Sequence, residues 1–591
     1  SWQPGNVADR MEPGEPIVIH FSEALEPQSI DAGTTLMLTK GGVAEPFSWE
    51  LSGNALVITP DSPVEYGVEY VVTTTPEITD LAGNPLQMLD SLEGDNSLDF
   101  TLPEYVVDDG GEDVRRGPFA STVYPGFPCA SSTASQAEID AGTQGVCVSS
   151  SPEADQVVID QLPIVGLPAN RPIKVRFSQN MDPSTLVLGD TVMVQADDNG
   201  SWVDVDGELT VETRGFTFTP NQPWDETGAT LYRYVMAGNG GGTGCAGICS
   251  ADGLPLQTAP LLGGGLKDGG PDMEILFRGE AATDTIFQEL ANLPSADVNN
   301  NFQIDSNEPV LTGDTLDPAD TPANATFIVP RGTGGEGLVA YANTGCGFDN
   351  PADGTPTQCD SDKIMYVTGL LNTEILDFDA ENQGVPVVIY PTTVALTNLD
   401  ATAVIGLRLT SDDETGGLLG AIPVLGDIAQ DIVDGLLGAT GLGDLIEAVG
   451  LDNIGLAPIP TSTGPNIMRV RYEPEDPNDP NSPRTVPPVG FIVDTPDGPV
   501  FRIPFDLLFD APALSLPLGL EHNVKSLPID NVQLEGPLDF LPDGRLFIAL
   551  QNQEPLDVDL EITLAGFDGG KVLLQIPPGG INLSYQSASI Q

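Results

Sequence analysis

The chain has 591 residues, and its 21 Lys and Arg stand against 87 Asp and Glu, a formal charge of −66. That balance argues against nucleic acid as a partner and against docking on anionic lipid head groups. Together, 66 Gly, 53 Pro and 40% hydrophobic residues describe a turn-rich β protein of several domains rather than a disordered chain. So acidic a surface repels itself unless cations screen or bridge it, which makes a saline, Ca²⁺-containing exterior the expected setting.

The first stretch with clear order is Pro16 to Ile30, PIVIHFSEALEPQSI, and it returns at Pro172 to Leu186 as PIKVRFSQNMDPSTL. Ile17, Ile19 and Phe21 alternate with Val18, His20 and Ser22, the period of a strand with one face in a core. The Glu26-Pro27 or Asp182-Pro183 that follows cannot continue a central strand, so the chain turns there. Further on, Ala55 to Pro60 answers Gly215 to Pro220, a Tyr-bearing strand follows in each copy, and each closes on Pro-Leu-Gln, at 85–87 and 255–257. Two such units read as tandem β-sandwiches, over 1–105 and 153–265. With Asp80-Leu81-Ala82-Gly83-Asn84 added, the pattern resembles the bacterial Ig-like domains of the S-layer protein type. The second copy has Ala251-Asp252-Gly253 in place of the last motif. The resemblance implies an extracellular spacer or scaffold rather than an enzyme.

Only Ser1-Trp2-Gln3 stands where Gln156 to Ile159 precedes the motif in the second copy. Either the first sandwich tolerates a short edge strand, or a neighbouring subunit fills the open edge. Residues 106–152 begin with an acidic, Gly-rich run and form a disulfide-stapled linker or a decoration on the second sandwich. The six cysteines fall in three local pairs: Cys129 with Cys147, Cys245 with Cys249, Cys346 with Cys359. With two histidines in the chain and no CxxC, disulfides are expected over zinc, and with them an oxidising compartment.

From 266 to 415 the spacing predicts a third, mostly β domain. Thr285 to Leu293 carries Ile286, Leu290 and Leu293 at helical spacing. It leads into Asp297-Val298-Asn299-Asn300-Asn301-Phe302-Gln303-Ile304-Asp305-Ser306-Asn307-Glu308. This twelve-residue loop resembles an EF-hand-type Ca²⁺ loop after a single helix. Asp297, Asn299, Asn301, the Gln303 carbonyl, Asp305 and the bidentate Glu308 would be the ligands. Phe302 stands in place of the usual Gly, and Pro309 blocks an ordinary exiting helix. Asp377, Asp379 and Glu381, and separately Asp476 and Asp479, read as solvated acidic turns.

Residues 416–460 have Leu425, Ile428, Ile432 and Leu436, then Leu442, Leu445, Ile446 and Val449, at helical spacing. A helical hairpin covering a sheet face, or an intersubunit contact, is expected there. The Pro-rich stretch Glu473 to Pro488 marks a boundary, and a C-terminal β domain closes the chain within 461–591. Its clearest alternation runs from Leu556 to Leu564. No apolar run spans a bilayer. The start at Ser1 reads as a processed, exported chain.

Catalytic motifs are missing: neither His20 nor His522 has a nucleophile pattern around it, and no GxSxG, HExxH or P-loop occurs. The expectation is therefore a non-enzymatic, Ca²⁺-stabilised structural protein of the cell surface. It would be self-assembling into a filament or layer, or adhesive, with itself or other surface components as partners. The alternative is a polysaccharide- or lipophile-binding surface protein using residues 266–591, and after it a hydrolase on Ig-like spacers.

Overall fold

The computed structural model describes residues 17–101, 115–292, 324–408 and 453–587, apart from short internal stretches, together with Asp297. Strand dominates throughout, as expected of a mostly β chain of tandem domains.

The first sandwich uses β1 (Ile17–His20), β2 (Leu36–Lys40), β3 (Val43–Ala44), β4 (Phe47–Ser52), β5 (Ala55–Pro60), β6 (Glu69–Thr74) and β7 (Ser97–Thr101). They form two sheets, ordered β1-β5-β4 and β3-β2-β6-β7. The alternation seen in the sequence puts Ile17 opposite Ile58 in the ladder, and both are buried with Leu36, Tyr70 and Phe100. The turn after β1 is a short 3₁₀ segment, Pro27–Ser29, in which the Glu26 carboxylate accepts from the Gln28 amide. The D-x-A-G-N motif has an equally local cause. The Asp80 carboxylate accepts from the amides of Ala82 and Asn84 and from the Asn84 side chain, at 2.7–2.8 Å. Gly83 supplies the left-handed residue, φ 84°, that this turn needs.

The second copy repeats this with additions. Its strands are β8 (Ala120–Tyr124), β9 (Val165–Pro168), β10 (Ile173–Phe177), β11 (Val192–Asp198), β12 (Ser201–Asp204), β13 (Gly207–Glu212), β14 (Gly215–Pro220), β15 (Leu231–Met236) and β16 (Met273–Glu280). The sheets are β13-β14-β10-β8 and β12-β11-β15-β16-β9. Asp182 caps the Pro183–Thr185 turn as Glu26 does in the first copy. Ser250 takes the place of Asp80, its hydroxyl accepting from the Leu254 amide at 3.1 Å, and Gly253 again has positive φ. The sandwich is wider than 153–265, because β8 and β16 lie outside those bounds. The described residues of 115–150 are thus a part of it, the decoration rather than the linker of the two readings: all of β8 is buried. The strand expected before the motif, Gln156 to Ile159, lies outside the described residues.

The remaining strands close on themselves. We label β17 (Ile286–Asn292), β18 (Ala325–Thr326), β19 (Met365–Thr368), β20 (Leu370–Ile375), β21 (Gly384–Tyr390), β22 (Thr393–Leu396) and β23 (Asn466–Val470). After them come β24 (Val489–Thr495), β25 (Gly498–Asp510), β26 (Leu527–Phe540), β27 (Leu546–Asn552) and β28 (Ile581–Ser587). The hydrogen-bonded order is β17-β20-β21-β24-β25-β23-β22-β19-β18-β28-β27-β26, and β17 also pairs β28 while β25 also pairs β26. These two extra pairings make a barrel. One edge of β25 is shared by β24 and β23, and one edge of β28 by β17 and β18. Eight wall positions result, four of them strands interrupted midway. β19 and β20 are one strand broken at Gly369, and β21 and β22 one strand broken at Pro391-Thr392. β23 and β24 are parted by a small hairpin, and β17 and β18 by the segment holding the proposed calcium loop. All pairings around the wall are antiparallel. Closure removes the exposed edges that an open sheet would carry. A further sheet, including Leu556–Leu564 and Phe567–Ile576, adds Val558, Ile562 and Ile576 to the same core.

Three expectations change. Where Thr285 to Leu293 suggests a helix, Ile286–Asn292 is a strand: Leu290 points into the barrel, while Phe287 and Glu289 meet the second sandwich. Both faces are occupied, so the spacing of Ile286, Leu290 and Leu293 was a coincidence of a two-sided strand. The units 266–415 and 461–591 share one barrel rather than forming separate domains. Glu473 to Pro488 is no boundary, since Glu473–Pro474 pairs with Arg484–Val486 as a hairpin inside one wall strand. The helical hairpin of 416–460 falls almost wholly outside the described residues.

Candidate functional site: an apolar barrel lumen

Alternation along each barrel strand sends one set of side chains inward and the other outward. Inward go Phe501, Ile503, Phe505 and Leu507 of β25, with Leu546, Ile548 and Leu550 of β27 facing them. Val394 and Leu396 of β22, Met468 and Val470 of β23, and Ile581, Leu583 and Tyr585 of β28 complete the larger part. They leave a cavity of about 60 Å³ lined from almost every wall position. A second void of about 10 Å³ lies between Val387, Ile375, Ile492 and Phe501. Leu371, Ile389, Leu550 and Tyr585 line both.

The lining carries no charged group. Its polar members are Thr326, Thr373 and Tyr585, and the Thr373 hydroxyl is spent on the Gln288 carbonyl at 3.1 Å. Burial alone pushes the Tyr585 phenol well above its ordinary pKa, so it stays neutral. Such a lumen offers dispersion contact and dryness, and nothing for proton transfer or metal coordination. An eight-stranded barrel is just wide enough to fill with side chains or to hold one small ligand.

The outward set of the interrupted wall is polar and packs on the second sandwich. Arg469 donates from Nε to Asp510 at 2.8 Å, from Nη1 to Asp160 of the sandwich, and from Nη2 to the Ser526 hydroxyl at 2.9 Å. Arg469 and Asp160 have 3% and 1% of their side chains exposed, so this pair is fully dry. Burial pushes the Asp160 carboxyl up against the pull of Arg469. On β20, Asn372 donates to the Thr122 hydroxyl and the Val123 carbonyl of β8. Arg176 of β10 grips Glu289 through Nε and Nη2 at 3.0 and 2.9 Å, with Lys174 at 3.2 Å. Burial alone would raise the Glu289 carboxyl, but Arg176 and then Lys174 hold it below its usual range. Tyr124 packs on Phe287 and Tyr390, and the Tyr390 hydroxyl donates to Glu374 at 2.7 Å. Barrel and second sandwich are therefore one body, held by contacts that also fix the wall of the lumen.

The residues singled out from sequence stand apart from the lumen. Asp297 is buried, and Asn299, Asn301, Gln303, Asp305 and Glu308 lie outside the described residues. Among the described residues no cluster of three or more metal-ligating acids, histidines or cysteines occurs. Cys129–Cys147 and Cys245–Cys249 are disulfides as expected, while Cys346 and Cys359 are outside the described set. The first bridge packs with Phe127, Leu162 and Leu261 against Ile467 of the barrel. Asp379 accepts from the Glu381 amide and the Asn382 side chain, and Asp476 from the Asn478 amide, so both cap their own turns. His522 accepts from the Val524 amide at Nδ1 and lies 3.2 Å from the Leu514 carbonyl at Nε2. Both ring nitrogens thus lie against backbone groups. Among the described residues no helix is long and apolar enough to cross a membrane.

Comparison with known proteins bears on both halves. Residues 1–101 match the family described as bacterial Ig-like domain. The whole chain is similar to alkane uptake protein B of Marinobacter nauticus, 29% identical over an alignment of 639 positions. That alignment takes in 53% of the relative, so this chain spans about half its length. Among solved structures, the S-layer protein rSbsC aligns with 95% of this chain and 64% of its own at 9% identity and a TM-score of 0.20. A score that low carries no shared arrangement.

Proposed function

We propose that this chain is an exported lipophile-binding protein that takes an unfunctionalised aliphatic chain into the barrel lumen, with its Ig-like domains as scaffold. The observation that carries the reading is the closed barrel whose cavity is lined by apolar side chains without a single charge. A fatty acid or sugar would have to leave its polar groups unpaired there, at a cost a hydrocarbon does not meet. The name of the Marinobacter relative points the same way. The disulfides favour an oxidising compartment, and the reading needs no enzymatic step.

The test is equilibrium partition of radiolabelled n-hexane into the purified protein, with palmitate in parallel. Saturable uptake of n-hexane that Val394→Phe abolishes, and weak uptake of palmitate, are expected. Equal uptake by Val394→Phe, or none by the unaltered protein, overturns the reading.

A further inference from the structure

The two voids are not independent, and how they meet bears on which chains the lumen accepts. Their common lining is Leu371, Ile389, Leu550 and Tyr585. Leu371 and Ile389 sit on adjoining wall strands, β20 and β21, and Leu550 and Tyr585 on β27 and β28 from the continuous side. Side chains from two sides of the barrel thus close a waist between a larger and a smaller chamber. Leu550 and Tyr585 are each 2% exposed, so this side of the waist is dry.

We infer that this waist sets the length of the aliphatic chain the barrel accepts, a specificity device that rests on the lipophile-binding reading above. A chain seated among Val394, Leu396 and Met468 fills the larger chamber first. To extend further it must pass Leu371 and Leu550 into the space beside Val387 and Ile492. The larger chamber, about 60 Å³, is smaller than the roughly 150 Å³ cavity that takes benzene in an engineered core. Binding therefore swells the lumen by side-chain rotation, and packing resists each further methylene. Long chains are held back where four large side chains must part together. Trimming one of them joins the chambers.

The experiment compares n-hexane with n-decane, by partition of the labelled hydrocarbons, in the full chain and three variants, with thermal melting to check folding. The unaltered protein should favour n-hexane. Leu371→Ala should raise binding of n-decane relative to n-hexane by about tenfold, the gain from burying a few more methylenes. Val387→Phe, which fills the smaller chamber, should cancel the gain in the Leu371→Ala background. Should Leu371→Ala not fold, Leu371→Val is expected to move the ratio the same way by less. An unchanged ratio in the trimmed variants, while the unaltered protein binds n-hexane, overturns the waist. Failure of the unaltered protein to bind either hydrocarbon overturns the lipophile reading itself.

Discussion

Arg469 shows how much of this molecule hangs on single buried charges. Its guanidinium joins Asp510 of the barrel and Asp160 of the second sandwich with almost no water in reach. Replacing it by Met leaves two dry carboxylates without a counter-charge, so Arg469→Met should destabilise the barrel–sandwich body by about 3–5 kcal/mol in denaturant titration. The charge pairs also predict a pH response. Glu289 titrates below its ordinary 4.5, so its contribution is present above that value and is lost as pH falls through the lowered one. His522 titrates below 6.5, first because it is buried and next because Lys525 is near, so protonation favours the unfolded chain. Stability should therefore decline from about pH 6.5 downward and again below about 4.5. Melting followed across this range should lose the upper step in His522→Phe and show a smaller lower one in Glu289→Gln. A profile unaltered by either would contradict these assignments. None of this was legible in the sequence: Arg469 and Asp160 are more than three hundred residues apart, and in a chain with 87 acids no spacing marks the buried ones.

Among elements, repetition was the readable signal. The strand and Glu/Asp-Pro turn at 16–30 and 172–186 fold alike, because the turn is closed by its own carboxylate and needs no distant partner. The strand β17 was misread for the opposite reason. Its pattern mixes residues for the lumen with residues for the sandwich, and a two-sided strand imitates helical spacing. For the disulfide-bearing segment the sequence leaves linker and decoration both open, because nothing local reveals that Cys129 and Cys147 pack against Ile467. That placement yields a prediction. The bridge closes residues 18 apart, and its loss through Cys129→Ser with Cys147→Ser should cost about 3 kcal/mol by the chain-entropy estimate. Because the bridge lies in the interface, the loss should lower the melting of the joined barrel and second sandwich. A joint transition that stays put would separate the bridge from the interface.

At the scale of the whole molecule, strand pairing divides the described chain into two bodies: residues 17–101, and the second sandwich with the barrel. Strands β1 to β7 pair only with one another, whereas Arg469, Glu289, Asn372 and Tyr124 tie the other parts together. Calorimetry should resolve two transitions, and the larger should move down on Ca²⁺ chelation if the 297–308 loop binds the ion as its sequence suggests. A single transition, or a larger one indifferent to chelator, would contradict the division or the calcium assignment respectively. Barrel closure itself could not be read from the sequence. The alternation of 556–564 was plain, but the pairing of Leu290 with Ser587 that shuts the wall joins distant segments. The lumen exists only because of that closure, and it is the centre of the account. The most direct measurement is a crystal structure of the full chain soaked with iodohexane, read by the anomalous signal of iodine. Iodine inside the barrel beside Val394, Leu396 and Met468 is the predicted result. An empty lumen, with iodine only on the outer surface or in the Ig-like sandwiches, would contradict it.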